Sequence, residues 1–349
     1  MNPSTVFAAQ LLETGASGYA GVAAGALLEK HPALEERFAP SAFRDWKDHL
    51  HQRILDLSAA LEAAEPGLFA SRVRWERVAF RSRDLDDADL HRGLTCLREV
   101  LDEELPEMAK ETVDSYVTPV LEGWSDTLPD EPTLDPKNPV ERLALTYLEA
   151  ALRGDGVEAV DLVVQEMENG MDYQQAYEAL MTAQRESGRL WHLGELKIAE
   201  EHLITTTTER ATSVLAQRVQ REPSNGKTVI VAAVAGNRHS LPVRVVADFF
   251  SIAGWRSICL GADLPPSELA AAAEYFEADA MALSVAMSTQ IKHARATILE
   301  TRKSCEKEIR IVVGGSIFDE AGDLWQRIGA DGYIRYVHEA PQIALDLIG

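Results

Sequence analysis

The sequence predicts a protein whose first two thirds are helical and whose last third is a doubly wound parallel sheet. Three observations lead to this prediction. Apolar residues recur at helical spacing up to about residue 220, a proline-rich acidic stretch divides that part, and five short apolar runs alternate with helical segments after Lys227.

The first predicted unit, residues 1–125, is helical throughout. Leucine and isoleucine recur at helical spacing within residues 46–64, and Pro66 ends that helix. A second helix is predicted over residues 71–83, and two more follow Asp86, which can cap the first of them.

A linker and a helical bundle follow. Residues 126–139 contain four prolines among acidic residues, which is typical of a linker. Residues 140–222 are expected to form a bundle of four helices separated by short glycine-containing turns. Gly188 is expected to end the third helix, and the fourth covers residues 196–221.

The sheet is predicted within residues 223–349. The run from Thr228 to Val234 is apolar throughout, as a strand buried on both faces should be. Four further runs, RSICL, ADAMALSV, RIVVGG and GYIRY, alternate with helical segments. This alternation indicates a five-stranded sheet of the flavodoxin type.

Composition excludes several classes of protein. No apolar run approaches the ~20 residues of a membrane span, and the N-terminus lacks the basic segment and apolar core of a signal peptide. The three cysteines, Cys96, Cys259 and Cys305, are widely spaced, which suits a reducing cytoplasm rather than a disulfide framework. The net charge of -22 disfavours nucleic-acid binding.

Candidate binding residues follow three of the predicted strands. His239 follows the first, Ser284 and Ser288 follow the third, and Gly314 with Gly315 ends the fourth. Ligands of open α/β sheets bind at the carboxyl ends of the strands, and a neutral imidazole is a common metal ligand. Hydroxyls and bare backbone beside it would line a deep slot for a long ligand. The competing interpretation of His239 is a solvated or capping loop histidine.

This set of residues resembles the cobalamin-binding domain of methionine synthase and corrinoid proteins. That family has Asp-x-His-x-x-Gly after strand one, where this chain has Asn237-x-His239-x-x-Pro242. The resemblance implies that His239 is the lower axial ligand of cobalt and that the dimethylbenzimidazole tail lies beside the serines and glycines. Asn237 can still orient the histidine, but it lacks the charge that raises ligand basicity.

The bundle contains a second motif, Trp191-x9-Glu201-His202, with His192 next to the tryptophan. It resembles the cap of light-sensing cobalamin proteins that regulate carotenoid synthesis. The resemblance implies that Trp191 and Glu201 surround the adenosyl group of adenosylcobalamin, that His202 supports them, and that His192 takes the upper position after light breaks the Co–C bond. An indole is suited to stacking on adenine. Burial in the bundle core is the competing interpretation of Trp191.

The first unit carries a run of arginines. Arg74, Arg77 and Arg81 share one face of the helix predicted over residues 71–83. Arginine binds carboxylates in a bidentate manner, so this face could hold a flat molecule with two propionates, such as a bilin or haem. Pairing with nearby aspartates is the alternative, and His49, His51 and His91 are further candidate contacts.

Within residues 1–125, the stretch from Phe43 to Arg83, with Trp46, Arg53, Phe69 and Trp75, is similar to globin-like sensor domains. The order of the units resembles the photocobilins, which are photoreceptors that bind adenosylcobalamin and biliverdin. The resemblance implies a light sensor that is not an enzyme, whose homo-oligomeric state or contact with an unidentified output partner changes with light. Two other functions stay open. One is a corrinoid carrier subunit for methyl transfer, and the other is a haem-based globin-like sensor.

Overall fold

A computed structural model describes residues 3–125 and 134–349. Most of the predicted linker, residues 126–133, lies outside the described residues. The chain forms two compact units. Residues up to 125 group with residues 287–292 in the first unit, and the remainder forms the second.

The first unit is helical, as predicted. Asp86 caps one of its helices, because its Oδ1 accepts a hydrogen bond of 3.0 Å from the Ala88 amide. A long N-terminal helix was not among the predicted elements. Its buried residues are mostly alanines on one face, and apolar residues such as Phe7 and Val22 are exposed, so the sequence shows no distinct apolar stripe. The helices are α1 Pro3–Lys30, α2 Pro32–Arg37, α3 Ala42–Ala63, α4 Pro66–Ser82, α5 Asp87–Glu104 and α6 Glu107–Glu122.

The second unit begins with the predicted four-helix bundle, which consists of α7 Pro139–Leu152, α8 Gly156–Glu168, α9 Tyr173–His192 and α10 Ile198–Arg218. The prediction that Gly188 ends the third helix is wrong, because α9 continues for four more residues. An interior glycine costs only about 1 kcal/mol relative to alanine. The left-handed residue that follows the helix is Gly194, with φ of 73°. The extension makes Trp191 and His192 helical.

The five predicted strands form one parallel sheet in the order β2-β1-β3-β4-β5, which confirms the predicted fold class. The strands are β1 Thr228–Val234, β2 Arg256–Leu264, β3 Ala280–Ser284, β4 Arg310–Gly314 and β5 Gly332–Ile334. The helices around them are α11 Ser240–Ile252, α12 Pro266–Tyr275, α13 Ile291–Ser304, α14 Ser316–Glu320, α15 Leu324–Arg327 and α16 Ala340–Ile348.

The strand order determines where a ligand can bind. The chain passes from β1 to β2 on one side and then returns to β3 on the other side of β1. The carboxyl ends of β1 and β3 therefore form the switch point at which open α/β sheets bind ligands. The register places Ser284 beside Gly314 and Gly314 beside Ile334 at this edge.

Candidate functional site

The loop that carries His239 is anchored to the end of β3. Asn237 is fully buried, and its Nδ2 donates to the Ser284 carbonyl oxygen at 3.1 Å and lies 3.3 Å from the Ser284 hydroxyl. His239 itself is exposed and immediately precedes α11. A buried amide thus connects two strand ends and presents the imidazole at the switch point.

The same amide determines which nitrogen of His239 is available. Asn237 Oδ1 accepts from the His239 backbone N–H at 3.1 Å and lies 2.8 Å from His239 Nδ1. The amide orientation is set by its donation to a carbonyl oxygen, so Oδ1 faces the ring and Nδ1 must carry the proton. Nε2 of the neutral ring then has a lone pair, and no described residue hydrogen-bonds to it. A histidine oriented through its other nitrogen is the usual arrangement for a metal ligand.

A cleft of about 280 Å³ opens beside this loop. Aliphatic residues from β1, β3, β5 and α11 form much of its wall, and Ser284, Gly314 and Gly315 line it as predicted. Gly315 has φ of 130°, and a Cβ added there would lie 1.9 Å from the Val285 carbonyl oxygen. Glycine is therefore required for the loop after β4 to lie this close to the end of β3.

Ser288 does not line the cleft. It lies in a short 3-10 turn, Ser288–Gln290, which groups with the first unit. Two serines that are close in sequence therefore have different surroundings, because the chain leaves the sheet between them.

Several cleft residues have no counterpart among the predicted site residues. Tyr333 donates to Asp319 Oδ1 at 2.6 Å, and Arg335 Nε lies 3.6 Å from the same oxygen. Burial and the Asp319 carboxylate both raise the pKa of Tyr333. Tyr333 lies in the short strand β5 and Arg335 follows it. Because ligands of open α/β sheets bind at the carboxyl ends of the strands, both residues could have been predicted from the sequence. Arg185 comes from α9 of the bundle, and no local pattern marks it.

Side-chain hydrogen bonds join the bundle to α11 of the α/β domain. Tyr177 on α9 donates to Asp248 on α11 at 3.0 Å, and Ser240 donates to Glu209 on α10 at 3.3 Å. Arg185 lines the cleft, and His192 lies seven residues further along the same face of α9. Helix α9 therefore reaches the cleft through Arg185.

The predicted cap residues occupy two neighbouring helices. Trp191 is partly buried and His192 is buried, with 3% of its surface exposed. The Glu201 side chain, 25% exposed, accepts from Thr205 at 2.8 Å and lies 2.8 Å from His202 Nδ1. The His202 ring contacts Glu201 and is itself largely exposed.

The arginines of α4 do not form a common binding face. Arg77 is buried, pairs with Asp87 at 3.1 Å, and donates to the Trp124 carbonyl oxygen at 2.6 Å. Arg81 also pairs with Asp87, at 2.9 Å, whereas Arg74 is exposed and forms no ion pair with the described residues. The alternative of pairing with nearby aspartates accounts for two of the three arginines.

Two of the three candidate histidines of the first unit, His49 and His91, lie beside aromatic rings. His49 lies 5.7 Å from the ring of Trp46 and 5.5 Å from that of Phe80, and His91 lies 4.9 Å from Trp124. Burial, reinforced by the charge of Arg53, lowers the pKa of His49 to about 4. His49 is therefore neutral at physiological pH.

Two family models match the second unit. Residues 227–345 match a B12 binding domain, and residues 143–216 match a second B12 binding domain model. Together they cover the bundle and the sheet and none of the first 125 residues. In the described part of the chain, no helix is long and apolar enough to cross a membrane.

Corrinoid proteins are similar to this chain. A corrinoid protein of Desulfitobacterium hafniense is 23% identical over 169 residues, which are 46% of this chain and 76% of that protein. Trimethylamine corrinoid protein 1 of Methanosarcina acetivorans is 29% identical over 198 residues, 55% of this chain and 84% of its own length. The solved structure of the monomethylamine corrinoid protein of Methanosarcina barkeri superposes on this chain with a TM-score of 0.52 at 15% identity. The superposition covers 59% of this chain and 99% of that protein, and it supports the fold.

Proposed function

We propose, from the premise that residues 143–216 and 227–345 are B12-binding domains, that this chain is a light sensor holding adenosylcobalamin between the bundle and the sheet. Adenosylcobalamin supplies a Co–C bond that light can break. The protein is proposed to bind the cofactor, retain the adenosyl group in the dark and respond to its loss, without catalysing a reaction itself.

The observation that carries cobalamin binding is the Asn237 tether. It orients His239 so that Nε2 is available as the lower cobalt ligand, and it attaches that ligand to the end of β3. The cleft beside the loop has aliphatic walls and glycine backbone, which suits the flat aromatic base of the cofactor tail. The donor chemistry and the shape therefore fit the group.

Light sensing is supported by the cap. Trp191 on α9 and the Glu201 carboxylate on α10 are both partly accessible, so an indole is available to stack on adenine and a carboxylate to accept from ribose hydroxyls. His192 is buried, so its proposed role as the upper ligand after light requires α9 to move. Such a movement would connect loss of the adenosyl group to a change in homo-oligomeric state or in the binding of an output partner.

Biliverdin is proposed as a second chromophore of the first unit, on its similarity to globin-like sensors. Arg77 and Arg81 could bind propionates only by exchanging Asp87 for the ligand. This exchange makes bilin uptake a separate test, because it depends on the first unit alone.

A corrinoid carrier for methyl transfer is the second candidate, and the names of the curated relatives favour it over light sensing. Such a carrier must expose its upper face to a partner methyltransferase. The two functions differ in whether the bundle retains an adenosyl group or opens to a methyl donor.

Reconstitution in the dark with adenosylcobalamin and biliverdin, followed by green light, tests the proposal. We expect a light-driven change in the cobalamin absorption bands and in the size-exclusion profile, and Trp191→Ala should weaken adenosylcobalamin retention. Trp325→Ala, on α15, is the matched control. Identical dark and lit spectra and sizes would refute light sensing. Methyl transfer from methylcobalamin in the dark to a thiol, with a partner methyltransferase, would favour the carrier.

A further inference from the structure

A residue of the bundle lines the cleft within the α/β domain. Arg185 lies on α9, seven residues before His192, and lines the cleft. Its Nη2 donates to Thr182 Oγ1 at 2.8 Å. It forms no ion pair with any residue that the structure describes, and it remains exposed.

The mouth of the cleft is positively charged. Arg335 lies 3.6 Å from Asp319, so one guanidinium is balanced by the nearby carboxylate. Arg185 adds a second positive charge. Glu178 on the same helix acts on it electrostatically but does not line the cleft, and among the described residues Asp319 is the one acidic residue of the lining. This excess of positive charge contrasts with the net charge of -22 for the whole chain. An unpaired guanidinium beside an apolar slot favours a ligand that has an apolar end and an anionic group next to it.

The volume limits which part of a ligand can enter. About 280 Å³ lies below the range of pockets that enclose a whole drug-sized molecule. A macrocycle therefore cannot occupy the cleft, but a single bicyclic base with its sugar can. In cobalamin, that base is joined to the corrin ring through a ribose and one phosphodiester, which carries a negative charge.

We propose that Arg185 binds the phosphodiester of the cobalamin tail and thereby makes the chain selective for corrinoids with a complete nucleotide tail. This inference rests on the proposed binding of cobalamin. It assigns Arg185 a positioning role. Through Arg185, the bundle would contact the tail on the lower side of the cofactor as well as the group on its upper side.

Three corrinoids separate the contributions of base and phosphate. Cobalamin has both, cobinamide phosphate has the phosphate without the base, and cobinamide has neither. Dissociation constants are measured in the dark with the 349-residue chain, by quenching of tryptophan fluorescence. Arg185→Met should weaken the binding of cobalamin and of cobinamide phosphate about tenfold or more, as expected for the loss of hydrogen bonds to a charged group. The affinity for cobinamide should not change.

Matched variants keep the result interpretable. Arg153→Met removes an arginine at the end of α7 that pairs with Glu149 and Glu158 and does not line the cleft, so it should change none of the three affinities. Arg185→Lys keeps the charge and should recover part of the affinity for both phosphate-bearing ligands. Thermal melts establish that all variants are folded.

The outcomes distinguish the two proposals. Equal weakening of all three ligands by Arg185→Met, or no weakening of any, overturns the role of Arg185 while cobalamin binding by the wild type stands. Failure of the wild type to bind cobalamin overturns both the proposed function and this inference.

Discussion

Replacement of Asn237 by alanine tests the idea that one buried amide prepares the cobalt ligand. The change removes two contacts to His239, at 3.1 and 2.8 Å, and the donation to the Ser284 carbonyl oxygen at 3.1 Å. The His239 ring is then free to rotate and loses the partner that keeps the proton on Nδ1. Loss of such a partner typically weakens metal binding by about 10- to 100-fold.

The same substitution should also lower stability. Net hydrogen-bond contributions of about 1 kcal/mol each imply a loss of roughly 2 to 4 kcal/mol in the unfolding free energy, because the amide is fully buried and its partners are left unpaired. The two effects are separable. Urea denaturation of the cofactor-free chain measures stability, and the absorption spectrum with bound cobalamin reports whether the lower ligand is coordinated.

Asn225→Ala is the matched control, since Asn225 lies in an exposed turn and its side chain accepts from the Lys227 amide at 2.9 Å. It should leave affinity and spectrum unchanged. If Asn237→Ala also keeps the wild-type affinity and a spectrum with the lower ligand bound, then His239 does not depend on this tether, and the reasoning about its available nitrogen is wrong.

Three further predictions concern stability. Gly315→Ala should lower the free energy of unfolding, measured by urea denaturation, by about 3 kcal/mol or more, because its Cβ would lie 1.9 Å from a carbonyl oxygen. Gly314→Ala should lower it by less, because its nearest contact is at 3.3 Å, and equal losses in the two variants would contradict this reasoning. The low pKa of His49, about 4 against 6.5, means that protonation favours the unfolded state. The first unit should therefore lose about 2 kcal/mol between pH 8 and pH 5, and His49→Phe should abolish that loss; an unchanged pH profile in the variant would refute the assignment. Arg77→Met leaves Asp87 paired with the exposed Arg81 and should lower the free energy of unfolding by about 3 kcal/mol, as followed by thermal melts. A melting curve equal to that of the wild type would show that the pair contributes little.

The strands and the residues at their ends were predictable from local sequence. A strand buried on both faces is a continuous apolar run, so β1 and β4 were recognisable without tertiary information. Once the strands are parallel, their carboxyl ends meet at one edge, and the placement of Ser284 and Gly315 in one cleft follows.

Predictions based on single residues were weaker. Gly188 was expected to end α9, but a glycine ends a helix when it adopts a left-handed conformation, and here Gly194 does so. Ser288 was grouped with Ser284 because both follow β3, yet the chain leaves the sheet before it reaches Ser288. Arg77 was predicted to bind a ligand because it shares a helix face with two other arginines. In the structure it forms an ion pair with Asp87 from the next helix.

The sequence by itself determined the order of helical and α/β units, the strands and the loop that carries His239, because the periodicity of apolar residues depends on neighbours along the chain. Tertiary structure alone decided that Asn237 donates to the Ser284 carbonyl oxygen, which an aspartate at that position could not do while ionised. It also decided that Arg185 of the bundle reaches the cleft. These contacts join residues distant along the chain, and no local pattern encodes which of them meet.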